Sequence, residues 1–210
     1  QLLKFSSDTG ARAVQRIVAD PSCSRGIRDG AIGGVPFDLV IIGAGVSGMA
    51  AALEARKTGL IFEIIESAEP FSTLVNFPKG KPIYTYPSDM RPSGDLQFSS
   101  RSVIKEGLVE EMRDLTLARG ISPRIARVER VERRNNALET VLAGGERILS
   151  HSVIVAIGRS GEYRKLGVPG ESLDKVYNRL HDPADFADHD VVVVGGGDSA
   201  LETAIAIEQS

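Results

Sequence analysis

The sequence is short of the residues from which many kinds of site are made. It has one cysteine, Cys23, and no tryptophan. With a single thiol no disulfide can close within the chain, so a reducing compartment is the default and the cytoplasm the expected home. No run approaches the ~18 to 20 apolar residues of a membrane-crossing helix, and no basic-then-apolar leader opens the chain. Charge of one sign is lacking as well: 25 Lys and Arg stand against 28 Asp and Glu, a formal net charge of -3. That balance gives no reason to expect nucleic acid or an anionic membrane as a partner. The three histidines, His151, His181 and His189, show no metal-ligand spacing with one another or with Cys23, so no metal is assigned. No Ser, His and Asp set occurs at a nucleophile elbow, which disfavours hydrolase chemistry.

What the sequence does have is glycine, 22 residues of it, as suits an α/β fold in which strands turn tightly into helices. Residues 1–36 read as an N-terminal arm or linker, with a short helix carrying Ala13, Val14, Ile17 and Val18 on one face and stopped at Pro21. The glycines from Gly26 to Gly34 have no sustained period and read as a connector. Phe37 to Ile42 then predicts a strand, Val46 to Lys57 an alanine-rich helix closed by Gly59, and Leu60 to Ile65 a second strand, parallel to the first. The stretch from Pro70 to Ser100, rich in Pro, Gly and Ser, predicts a ligand-facing loop, and Arg101 to Arg119 a helix. Lys79, Lys81, Tyr84, Tyr86 and Arg91 lie in that loop and read as solvated residues. Ile125 to Val131, Ala137 to Leu142 and Arg147 to Leu149 predict a three-stranded antiparallel meander, with turns at Asn135-Asn136 and Gly144-Gly145. Ser152 to Ile157 predicts a separate buried strand. A polar connector follows, and Val191 to Val194 predicts one further strand.

The chemistry lies in a motif that occurs twice. Ile41-Ile42-Gly43-Ala44-Gly45-Val46-Ser47-Gly48 follows a predicted strand and opens a predicted helix, the context that gives a G-x-G-x-x-G pattern its physical meaning. Gly43 permits the tight turn, Gly45 lets the backbone approach a pyrophosphate, and Gly48 lets helix and strand pack closely. The N–H groups at Val46 and Ser47 then face the phosphate. Glu66 stands ~20 residues on, at the end of the second strand, where a carboxylate accepts from ribose hydroxyls. The second occurrence, Val191 to Ala200, places Gly195, Gly197, Asp198, Ser199 and Ala200 in the same order, with Ala200 at the tolerant third position. A lone strand and helix bury too little surface to form a domain, so the chain reads as a fragment. The expected division is residues 37–188 for the first unit and 189–210 for the opening of the second.

Two such turns with a β-meander between them resemble the thioredoxin-reductase-like branch of the pyridine nucleotide-disulfide oxidoreductase superfamily, over Phe37 to Ser210. A third match is Val153 to Gly158 followed by Val168-Pro169-Gly170-Glu171, similar to the family's "ATG" strand and "PGE" segment with Ile157 in place of threonine. The resemblance implies a Rossmann-like FAD-binding domain, made of a parallel sheet plus the meander, and the start of a Rossmann-like NAD(P)-binding domain. It places FAD on Gly43, Gly45, Val46, Ser47, Gly48 and Glu66, with Gly158 and Arg159 as further contacts, and NAD(P)H on Gly195 to Ala200. It further implies hydride transfer from nicotinamide to flavin and then electron transfer to ferredoxin, another small redox protein or a small-molecule acceptor. A homodimer is compatible with it. One departure matters: the family's Cys-x-x-Cys pair before the second glycine turn is absent, since Glu171 to Asp190 holds no cysteine. What remains resembles ferredoxin-NADP reductases of thioredoxin-reductase type or bacilliredoxin-reductase-like proteins. The rival readings are a disulfide reductase whose cysteines lie outside this chain and a non-catalytic dinucleotide-binding module.

Overall fold

A computed structural model describes residues 3–20, 37–98, 103–158 and 165–210. Cys23 and Arg159 lie outside the described residues, as does the glycine-rich connector at 26–36.

The frame is one six-stranded sheet in the order β5-β2-β1-β8-β7-β6. β1 (Phe37–Ile42) is an apolar run whose last four residues are buried. It pairs in parallel with β2 (Phe62–Glu66), Leu39 opposite Phe62, and with β8 (Arg147–Val155), Leu39 opposite Ser152. β5 (Arg124–Ile125) extends the parallel side beyond β2. On the far side β8 pairs antiparallel with β7 (Ala137–Leu142), and β7 with β6 (Val128–Arg134). The meander is therefore present, but its third strand and the next predicted strand are a single element. Nothing between Leu149 and Ser152 can turn the chain, so β8 runs straight from its antiparallel partner β7 to its parallel partner β1.

Alternation along β1 divides the core. Leu39 and Ile41 face the helices, whereas Val40 and Ile42 pack with Ile65, Leu142 and Ile148 on the other side. α2 (Val46–Lys57) follows β1 and is buried around almost its whole circumference, Ala50 to Ala55 included. A helix buried all round must be covered on every side, and the sheet covers only one. α1 (Leu3–Ala19) supplies another: it is longer than the sequence pattern predicts, and Leu3 and Val14 belong to the main core.

After β2 come a one-turn helix, α3 (Ser72–Val75), and a two-residue ladder of β3 (Pro82–Ile83) with β4 (Val103–Ile104). α4 (Lys105–Thr116) then packs Leu108, Val109 and Met112 into the core and ends in a 3-10 turn at Leu117–Arg119. It starts later than the pattern predicts because Val103 and Ile104 pair with β3 instead. The chain closes with a 3-10 turn at Pro183–Phe186 and α5 (Asp198–Glu208). Residues 191–194, predicted as a strand, have no ladder partner among the described residues, and Val192 is 86% exposed. A strand is defined by its neighbours, and an apolar run alone does not make one.

Candidate functional site

The first glycine turn sits where β1 ends and α2 begins, and each of its glycines meets a different physical demand. Gly43 has φ +102, and a Cβ there would fall 2.5 Å from the carbonyl oxygen of Ala156, so both backbone sign and space call for glycine. Gly48 lies against the turn itself, since its Cβ would sit 1.8 Å from the Gly43 carbonyl oxygen. Gly45 is different: a Cβ there meets nothing within 4 Å, and its φ of -77 suits any residue. The protein's own packing gives no reason for glycine at position 45, and the space beside it is open.

That open space lies before the N-terminus of α2. Gly45 is the N-cap, no side chain caps the helix, and no acidic residue occupies its first turn. The first N–H groups of a helix lack intrahelical partners and carry the positive end of its dipole. The turn is held rigid by the Gly43 N–H donating to Ile65 O at 2.7 Å and the Phe71 N–H donating to Ala44 O at 3.0 Å. Phe71 adopts φ 61 to do so and is itself fully buried.

Glu66, at the end of β2, is buried and reaches back to the same turn. Its Oε2 accepts from the Ala44 N–H at 2.7 Å, while Oε1 accepts from the Ala68 N–H at 3.1 Å and the Ser67 hydroxyl at 3.2 Å. A carboxylate has about four lone-pair sites, so acceptor capacity remains for hydroxyls of a bound sugar. Ala156 N donates to Ile42 O at 2.7 Å, carrying the end of β8 and Gly158, at φ +68 with open space at its Cβ, alongside the turn. The structure thus gathers Gly43, Gly45, Val46, Ser47, Gly48 and Glu66 at the C-terminal ends of β1 and β2, with Gly158 beside them.

The second turn repeats the form on a smaller scale. Gly195 has φ +136, and its Cβ would meet the Ala200 methyl at 3.3 Å. Gly197 caps α5 without a side-chain bond, leaving open space at its own Cβ, and Asp198 lies in the first helical turn. Ala200 N and Leu201 N donate to Gly197 O at 2.9 and 3.1 Å. Asp198 and Ser199 are exposed at the mouth of this turn.

The long loop has its own partners. Lys79 pairs with Asp182 at 3.1 Å, Lys81 pairs with Glu202, and the Lys79 N–H donates to His181 O at 2.8 Å. These lysines therefore tie the loop to the segment that carries the second turn, a role the sequence pattern did not indicate. Tyr84 and Tyr86 are exposed. In the Pro169-Gly170-Glu171 segment, Glu171 accepts from the N–H groups of Leu166 and Gly167, each at 2.8 Å, and those bonds hold its carboxyl below the usual carboxylate range. Among the described residues no cluster of His, Cys, Asp and Glu suits a metal ion, and no helix is long and apolar enough to cross a membrane.

Residues 40–210 match the family of pyridine nucleotide-disulphide oxidoreductases. A ferredoxin–NADP reductase of Ignicoccus hospitalis is 28% identical over 176 residues, which cover 82% of this chain and 53% of that protein. A thioredoxin reductase of Listeria innocua is 31% identical over 180 residues, covering 79% of this chain and 48% of that protein. The chain spans about half the length of these curated relatives. Among solved structures, a bacillithiol disulfide reductase from Staphylococcus aureus superposes with a TM-score of 0.70 at 22% identity, over 81% of this chain and 53% of that one, a likeness of fold.

Proposed function

Because the chain belongs to the pyridine nucleotide-disulphide oxidoreductase family, we propose that it is the FAD-binding part, and the start of the NAD(P)H-binding part, of a flavin-dependent reductase. The observation that carries the reading is Gly45, a glycine that the protein's own packing does not require, at the mouth of an uncapped helix. The residues fit a dinucleotide. The N–H groups of Val46 and Ser47 would donate to its pyrophosphate, Glu66 would accept from the hydroxyls of the adenosine ribose, and Gly158 would lie against the part beyond the phosphates. At the second turn, the N–H groups of Asp198, Ser199 and Ala200 would take the phosphates of the nicotinamide nucleotide.

When bound, FAD supplies the redox chemistry, accepting hydride from reduced nicotinamide and passing electrons on. The chain's own task is to bind and orient: rigid glycine turns set both phosphate positions, and no side chain is required as acid or base for the hydride step. A small redox protein such as ferredoxin fits as acceptor. The stretch from Glu171 to Asp190 has no cysteine and so houses no thiol relay of its own.

The test is an absorption spectrum of the parent protein, titrated with NADH and NADPH separately. Flavin bands that bleach with one of the two support the reading and fix the nucleotide preference. A protein that takes up no FAD overturns it.

A further inference from the structure

α1 lies upstream of residue 40, where the family match begins, yet it is fitted closely to the helix that opens the first site. Gly10 touches the backbone of α2: a Cβ at Gly10 would fall 2.0 Å from the carbonyl oxygen of Ser47. Further along, the Gln15 amide donates to Glu54 Oε1 at 3.0 Å. Residue numbers rise together in both contacts, so the helices run parallel, with Gly10 level with Ser47, the second residue of α2. At about 1.5 Å per residue, Leu3 then lies about 10 Å ahead of that level and Ser6 about 6 Å ahead, both beyond the end of α2.

This overhang is built in. Lys4 is buried, and its ammonium donates to Pro87 O at 2.7 Å and Ser88 O at 3.0 Å. The Ser7 hydroxyl donates to Leu96 O at 3.0 Å, and Asp8 accepts from the Ser93 N–H at 2.8 Å. Two turns of helix are thereby fixed to the long loop, in front of the N–H groups that face the pyrophosphate. Ser6, half-buried, is one turn before Gly10 on the face that meets α2.

The side of the site is fixed by topology. Arg56 of α2 donates to Arg119 O beyond the end of α4, so α4 flanks α2 on the β2 and β5 side, where Glu66 lies. We infer that α1 occupies the opposite flank of α2 and is a wall of the FAD site, with Ser6 lining the half of the dinucleotide beyond the pyrophosphate, away from adenosine. The inference rests on the reading of the first glycine turn as an FAD cradle.

The test compares FAD and ADP binding by the whole chain, by calorimetry or fluorescence, in the wild type, Ser6→Leu and Gly10→Ala, with Arg16→Ala at the exposed far end of α1 as a control. In Ser6→Leu, FAD should bind about tenfold more weakly or worse while ADP stays within about twofold, a split that a merely structural α1 would not produce. Gly10→Ala, whose methyl would press on the Ser47 carbonyl within the cradle itself, should weaken FAD and ADP alike. Melting curves identify any variant that fails to fold. Unchanged FAD affinity in a folded Ser6→Leu overturns the inference alone, as does an equal loss of FAD and ADP in that variant. A wild type that binds neither ligand overturns both the inference and the cradle.

Discussion

Replacing Gly45 by alanine separates the needs of the fold from the needs of the ligand. The new methyl meets no protein atom within 4 Å, and φ -77 is open to alanine. Losing glycine from an N-cap and stiffening the unfolded chain are opposed effects of a few tenths to about 1 kcal/mol. Net stability should therefore stay within ~0.5 kcal/mol, under ~2 °C in Tm for a chain of this size. Binding should suffer much more. A methyl in the cradle holds the pyrophosphate on the order of 1 Å away and lengthens its bonds to the Val46 and Ser47 N–H groups beyond useful range. At roughly 1.5–3 kcal/mol for each charge-assisted bond, the loss is about 3–6 kcal/mol, or ~10²- to 10⁴-fold in Kd. Gly48→Ala is the matched opposite: its methyl, 1.8 Å from Gly43 O, forces the turn apart at a cost of ~1–3 kcal/mol. Differential scanning calorimetry and FAD titration on both variants check the pair. If Gly45→Ala binds FAD as the wild type does, or melts as early as Gly48→Ala, the reasoning is refuted.

Other expectations follow from single contacts. Glu66→Ala strands the Ala44 N–H and should lower stability by ~1–3 kcal/mol, read by thermal melting, with FAD affinity falling as well. The Glu139 carboxyl on β7 is held below its ordinary value first by the Arg134 hydrogen bond and then by Arg147. A lowered carboxylate stabilises fully above its unfolded value, near 4.5, and the contribution disappears as pH falls through the lower folded value. Melting temperature should therefore drop below about pH 4.5, and less steeply in Glu139→Gln. Glu63 is the reverse case, its pKa raised chiefly by burial; Glu63→Gln should raise Tm at pH 7 and lose that advantage in acid. Removing both Lys79 and Lys81 breaks exposed pairs worth ~0–1 kcal/mol each, so limited proteolysis between residues 165 and 190 should quicken while Tm barely moves.

The first β-turn-α unit was legible because its signals are local: an apolar run, three glycines at fixed spacing and an acidic residue at the next strand end. β1, α2 and β7 have the bounds the pattern predicts. The joined β8 was not legible, because periodicity finds strands but does not say which neighbours they pair with, and one strand here serves two partners. The backbone bonds of Glu66 depend on a turn folding back to Ala44, which spacing alone does not reveal. The packing of α1 left one trace in the sequence. Gly10 is an isolated glycine in a helical pattern, and such a residue usually marks a close approach.

The most direct measurement of the central claim is a crystal structure of the chain soaked with FAD. The account predicts pyrophosphate density within ~3 Å of the Val46 and Ser47 nitrogens, with the adenosine ribose at Glu66. FAD density elsewhere, or adenosine on the α1 side of the turn, would contradict it.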